Sequence, residues 1–218
     1  MPSESSSDAS VTEVERLPRG RHKLTREQVE SSQRDRIMRA MAEAVGDLGY
    51  VKTTVAEVLK RAGVSRETFY TQFDDKHDCF IAAFDRAAEE MTSSIKVAFD
   101  ETMEAGGSEE DRISKMLSSF LELLASEPGF ARTYYVEVYA AGQEAIEHRV
   151  QIQASVVDMM LGMLRAVKEE NRFTLQATMA AIGAIVTQVV SLGQTENLPY
   201  LQPQLLQFVV TMLRGLDD

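Results

Sequence analysis

The chain has no tryptophan, one cysteine, three histidines and five prolines among 218 residues, and each shortage closes off a class of explanation. Cys79 alone cannot close an intrachain disulfide, and such sparing use of thiols fits a reducing cytoplasm. His22, His77 and His148 are scattered, and none has a second histidine, cysteine or carboxylate at a recognised metal-ligand spacing, so no metal site is expected. Neither a nucleophile elbow nor a glycine-rich phosphate loop occurs. Carboxylates are plentiful, yet Glu89-Glu90 and the run at 109–111 fit a solvated, capped helix surface better than paired catalytic acids. No enzyme activity and no cofactor are therefore expected. Period-two alternation of useful length is missing, which argues against a sheet. No N-terminal apolar segment is long enough for a signal peptide. The most apolar run, Ala177 to Leu192, is interrupted by Gln188 and is expected to be buried, not to cross a membrane.

Positive charge is also scarce, with a formal net charge of −11, but the deficit is uneven. Residues 1–15 carry four acids and no base; residues 16–86 carry 14 Lys or Arg against 11 acids; residues 87–218 carry 9 against 19. Residues 16–39 alone hold eight bases against three acids. Exposed charges are screened beyond roughly 8 Å at physiological salt. A local surplus therefore counts more for a polyanionic partner than a distant acidic surface does. The first fifteen residues read as a disordered acidic tail. Arg16, Arg19, Arg21, His22 and Lys23, around Pro18 and Gly20, then form a flexible basic arm able to lie in a minor groove, or simply a solvated tail.

What is abundant is helical periodicity. Ile37, Met41, Ala44 and Leu48 mark a helix from about Thr25 to Leu48. Thr54 and Glu57 have the spacing of a capping box, and Val55, Val58, Leu59 and Ala62 then share a face. Gly63 suits a left-handed exit, and Ser65 caps a second short helix, Arg66 to about Gln72. Phe69 and Phe73 anchor that helix, turning Arg66, Glu67, Thr68, Tyr70, Thr71 and Gln72 outward. Such a pair has the form of a helix-turn-helix, whose second helix enters the major groove. Arg66 could take a guanine bidentately, Gln72 an adenine, and Thr68 or Thr71 a base or a phosphate, whereas Tyr70 and Lys76 suit phosphate anchoring. His77, beside Lys76, meets phosphate or solvent.

Asp74 or Asp75 caps a long helix to about Ala105, roughly 45 Å at 1.5 Å per residue. Further helices are expected from Ser108 to Ser126, from Pro128 to near Gly142, from Gln143 to Glu170, from Thr174 to Thr195, and from Pro203 to Leu216. The fold class expected is all-α, with a three-helix DNA-binding unit at 23–85 after the tail of 1–22, and a helical unit at 86–218.

The stretch from Gly49-Tyr50 through TTVAEVLKRAGVSRETFYTQFDDKHDCFIAAFD resembles the tetracycline-repressor (TetR) family of bacterial transcriptional regulators, which shows a similar T-x-x-x-I-A-x-x-A-G-V-S-x-x-x-x-Y-x-x-F-x-x-K-x-x-L. The likeness covers about a quarter of the chain. It implies operator contacts at Thr54, Arg66, Thr68, Tyr70, Thr71 and Lys76, and a motif core of Ala56, Ala62, Gly63, Val64, Phe69 and Phe73. Val55 is taken to stand where the family has isoleucine, and Cys79-Phe80 where it often has an aliphatic pair.

The resemblance also implies a ligand chamber and a dimer in the C-terminal helices. Phe99, Met103, Phe120, Tyr134, Tyr135, Tyr139, Met159 and Met163 are the pocket candidates, soft and aromatic side chains that also make ordinary core. Gly183, Leu205, Val209, Met212 and Leu213 are the candidates for a two-fold, four-helix interface; a fully internal hairpin is the other reading. The function expected is a homodimeric, cytoplasmic repressor that binds a palindromic double-stranded DNA operator through Thr54, Arg66, Glu67, Thr68, Tyr70, Thr71, Gln72, Lys76 and His77, with Arg21 and Lys23 in the arm. A small apolar or amphipathic effector would release it. Heads on successive major grooves sit about 34 Å apart, so an effector that tilts the long helix spoils the spacing. A helical dimer acting through protein partners, or a small helical enzyme, are the alternatives.

Overall fold

In the computed structural model residues 25–164 and 168–214 are described, and no strand occurs among them. The acidic tail, and Arg21 and Lys23 of the basic arm, lie outside the described residues.

Helix α1, Arg26–Leu48, opens with a full capping box: the Thr25 hydroxyl accepts from the Gln28 amide at 3.2 Å, and the Gln28 side chain accepts from the Thr25 amide at 2.8 Å. Its inner face is Ile37, Met38, Ala40, Met41, Ala44 and Val45. Helix α2, Val55–Ala62, is capped by Thr54 and leaves through Gly63 at φ 63°, the left-handed exit that a Cβ would disfavour. Helix α3, Arg66–Gln72, is capped by Ser65. Helix α4, Lys76–Glu104, is 29 residues long, and the Asp75 carboxylate accepts from the His77 and Asp78 amides at its start. One correction falls inside the motif. Ala56 is exposed and Val58 wholly buried, so Val58 fills the place assigned to Val55, and Ala56 is not core. Counting back from Ala62-Gly63 in the family spacing gives the same register.

Helix α5, Glu109–Ser126, begins in a Ser108–Asp111 capping box. Helix α6, Pro128–Tyr135, ends earlier than expected, followed by a 3-10 turn at Glu137–Tyr139. The interruption has a tertiary cause: the Glu137 carboxylate accepts from the Tyr50 amide at 2.8 Å and pairs with Arg132 at 2.9 Å. Helix α7, Gln143–Met163, also stops short, because Leu164 is extended. Helix α8, Arg172–Ser191, and helix α9, Gln202–Arg214, flank a 3-10 turn at Thr195–Leu201.

α1, α2 and α3 pack as a head on the first turns of α4, while α5 runs along α4, and α6 to α9 complete the body. The expected boundary at residue 85 falls within α4, so head and body share one continuous helix. They also meet where α1 crosses α6, at a contact so close that a Cβ on Gly46 would come within 2.6 Å of the Gly129 Cα.

Candidate DNA-reading face and effector cavity

Two rings hold the second helix of the motif from below. Phe69 is fully buried and Phe73 nearly so, with ring centroids 5.6 Å apart. Because α3 is only seven residues long, burying one side leaves the other free, and Arg66, Glu67, Tyr70 and Thr71 are exposed while Thr68 and Gln72 are half-buried. The Ser65 hydroxyl accepts from the Thr68 amide at 3.0 Å and lies 2.9 Å from the Thr68 hydroxyl, and the Thr71 hydroxyl donates to the Glu67 carbonyl at 2.9 Å. The side chains of Arg66 and Tyr70 make no ion pair or hydrogen bond with another described residue; the guanidinium carbon lies 6.0 Å from the Tyr70 ring centroid. Thr54 is exposed at the start of α2. Arg34 escaped the sequence reading. Its guanidinium donates to the Gln72 carbonyl at 2.7 Å and stacks over Phe73 at 4.3 Å, so it clamps the end of α3 onto α1.

Lys76 and His77 are in a different setting from the open one expected. The Lys76 ammonium donates to the Tyr50 carbonyl at 3.0 Å and sits 4.1 Å from the centre of its ring, and partial burial lowers its pKa. Nδ1 of His77 lies 3.2 Å from the Tyr50 hydroxyl, and Nε2 is 3.2 Å from the Glu144 carboxylate. An ammonium has three donors, so the bond to Tyr50 does not exhaust Lys76. Tyr50 is thus held by its amide, carbonyl and hydroxyl from Glu137, Lys76 and His77 in turn, at the junction of head and body. Neither Glu137 nor Tyr50 carries a local signal for this, because their partners lie far along the chain.

The body contains an apolar cavity of about 240 Å³ among α4 to α9. Met91 and Ile95 of α4, Met116 and Phe120 of α5, Tyr134 and Tyr135 of α6, and Met160 of α7 form much of its wall, and Gln153, Gln176 and Thr178 add polar groups. Of the pocket candidates, Phe120, Tyr134 and Tyr135 line it. Phe99, Met103, Tyr139, Met159 and Met163 do not: Met103 and Tyr139 are exposed, and the others are half-buried against the core. Burial raises the pKa of both Tyr134 and Tyr135, keeping the phenols neutral.

Most of the interface candidates also point elsewhere. Leu205, Val209 and Leu213 are buried within the protomer, Val209 and Leu213 on the cavity wall, and Gly183 lines the cavity where an added Cβ would lie 3.9 Å from the Tyr135 ring. Met212 alone of the five lies on the surface. Conversely α8 is less buried than expected: the helical stretch Glu169–Ser191 is long and apolar enough by composition to span a membrane, yet only 22% of its most apolar window is buried. Ile185, Leu192 and Tyr200 are exposed nearby.

Residues 37–83 match the family described as bacterial regulatory proteins, tetR family. The chain is 24% identical over 183 residues to the fatty acid metabolism regulator protein of Bacillus subtilis strain 168, across 80% of this chain and 92% of that protein. It is 21% identical over 178 residues to the HTH-type transcriptional activator FasR of Mycolicibacterium smegmatis, across 81% of this chain and 78% of that one. The solved structure of the transcriptional regulator FadR from Bacillus subtilis in complex with stearoyl-CoA is similar at a TM-score of 0.69 and 24% identity, over 82% of this chain and 98% of that chain.

Proposed function

We propose that this chain is a ligand-responsive transcriptional regulator of the tetR type, a cytoplasmic homodimer whose effector is a long-chain acyl thioester. The observation that carries the reading is the double duty of α4. Its N-terminal Lys76 and His77 grip Tyr50 of the head, while Met91 and Ile95, about four turns on, line the cavity. An occupant that prefers a wider separation of α4 from α7 and α8 tilts the head, and its power to release DNA equals its preference for that shape. The apolar wall suits an acyl chain, and the similarity to a regulator bound to stearoyl-CoA supports that choice.

Arg66, Thr68, Tyr70 and Thr71, with Thr54 and Gln72, are the operator contacts in this reading; Glu67 lies beside them, and Lys76 and His77 reach phosphate only with donors not held by Tyr50. The dimer forms over the exposed apolar side of α8 and α9, around Ile185, Leu192 and Met212. Two heads related by that axis call for a palindromic site.

The test is fluorescence anisotropy of DNA from the neighbouring promoter with the full chain, titrated with acyl-CoA thioesters of increasing length. Specific, salt-dependent binding that a long-chain thioester reverses is the expected result. Arg66→Ala should relax base preference, whereas Tyr70→Ala should weaken all sequences alike. Binding unaffected by every thioester would sink the effector assignment and leave the regulator standing; Ile185→Glu and Met212→Glu variants that remain dimeric would sink the interface.

A further inference from the structure

Arg149 is a half-buried cation of the body with an unmet donor. Residues 87–218 hold 19 acids against 9 bases, yet Arg149 pairs with no carboxylate among the described residues. Its Nη1 donates to the Tyr139 hydroxyl, and its Nε is buried without any hydrogen-bond partner. The guanidinium carbon lies 5.7, 5.9 and 5.3 Å from the ring centroids of Tyr134, Tyr135 and Tyr139. Ring faces attract a guanidinium without using its in-plane donors, which stay available to an acceptor. A buried donor on a charged group is costly to leave unmade, so this arrangement is one that a bound anion would complete.

Arg149 is not in the cavity wall itself but packs against two residues that are, Tyr134 and Tyr135. On α7 it shares a face with Gln153, Val156 and Met160, at steps of four, three and four residues, and those three line the cavity, as do two of its three tyrosines. Building on the reading of the cavity as the effector site, we propose that Arg149, with Tyr139 beside it, is the headgroup subsite, and that it selects amphipaths carrying an anionic head, carboxylate or phosphate, on an apolar chain. The planar fork of arginine matches either oxyanion with two parallel donors. The apolar wall takes the chain, and the tyrosine end takes the charge.

Dodecanoate, dodecyl phosphate and dodecanol share one chain and differ in the head, so displacement of an apolar fluorescent dye from the full chain separates the two contributions. The intact protein is expected to bind both anions about ten- to a hundred-fold tighter than the alcohol. Arg149→Met should erase that preference while leaving dodecanol affinity within about two-fold, which also reports that the variant is folded, and Arg149→Lys should restore part of it. A preference for one anion alone identifies carboxylate or phosphate as the source. Unchanged affinity of Arg149→Met for both anions overturns the subsite. Failure of all three probes, dodecanol included, to displace dye from the intact protein overturns the cavity reading and the subsite with it, a pattern distinct from loss of the anion preference alone.

Discussion

The head and the body solve opposite packing problems. In the head, α1, α2 and α3 close over fully buried rings, Phe69 and Phe80 among them, so that one polar face is presented in a fixed pose. In the body, α4 to α9 converge on a wall that leaves a cavity of about 240 Å³ unfilled. Closely packed interiors shift between discrete arrangements and do not deform smoothly. A fixed reader joined to an underfilled body is therefore a workable switch, because an occupant can repack the second without melting the first. The joint between them is equally tight: Gly46 on Gly129, and Tyr50 held by Glu137, Lys76 and His77.

The largest contrast should come from truncating one side chain in each region. Phe69→Ala removes a fully buried ring and should cost about 3–5 kcal/mol in denaturant unfolding and abolish operator binding, whereas Met160→Ala, with empty space already on one side, should cost only about 2 kcal/mol. Equal losses would remove the distinction between a filled and an underfilled region. Two glycines sharpen it with opposite signs. At Gly46 an added methyl meets backbone at 2.6 Å, so Gly46→Ala should destabilise by about 1–3 kcal/mol and lower operator affinity by disturbing the joint. At Gly183, inside α8, the nearest atom is 3.9 Å away, so Gly183→Ala should raise stability by about 0.5–1 kcal/mol while narrowing the cavity and weakening effector binding. Thermal scans of the two variants side by side check both signs.

The smallest expected effect is electrostatic and lies on the body's surface. The Ser108 hydroxyl and amide hold the Asp111 carboxyl below its ordinary range, and Arg172 does the same for Glu169. A carboxylate whose folded pKa is depressed stabilises above its unfolded value and loses that contribution as pH falls through the folded one. Both groups are fully exposed and screened, so acid titration should lower the melting temperature only slightly through them, and Ser108→Ala should remove the Asp111 share. A Ser108→Ala variant with an unaltered pH profile would discount that cap.

The head was legible because its signals are local. Thr54, Ser65 and Asp75 cap helices through amides two or three residues away, and Gly63 takes a left-handed conformation that its lack of a Cβ favours. The misplacement of Val55 and Ala56 was a register slip of three residues, which keeps a helical face roughly in place and so was invisible to periodicity alone. Arg34 gave no signal, since its partner Gln72 lies on another helix.

The body was less legible. Leu205, Val209 and Leu213 form a stripe that periodicity detects, but a stripe does not say whether it faces its own protomer, a cavity or a second copy, and these three turned inward. Glu137 ends α6 to reach Tyr50, a residue 87 positions away, against a sequence that reads as continuous helix.

From its order of residues alone, then, the chain determined where helices begin, which faces are apolar and that a short helix turns a polar face outward, because capping, glycine geometry and the 3.6-residue repeat act within a few residues. Which stripe meets which neighbour, where packing leaves space, and that Arg149 packs on tyrosines beside that space with no carboxylate partner among the described residues were decided only in three dimensions. Those outcomes depend on contacts between segments tens of residues apart, whose geometry no local repeat encodes.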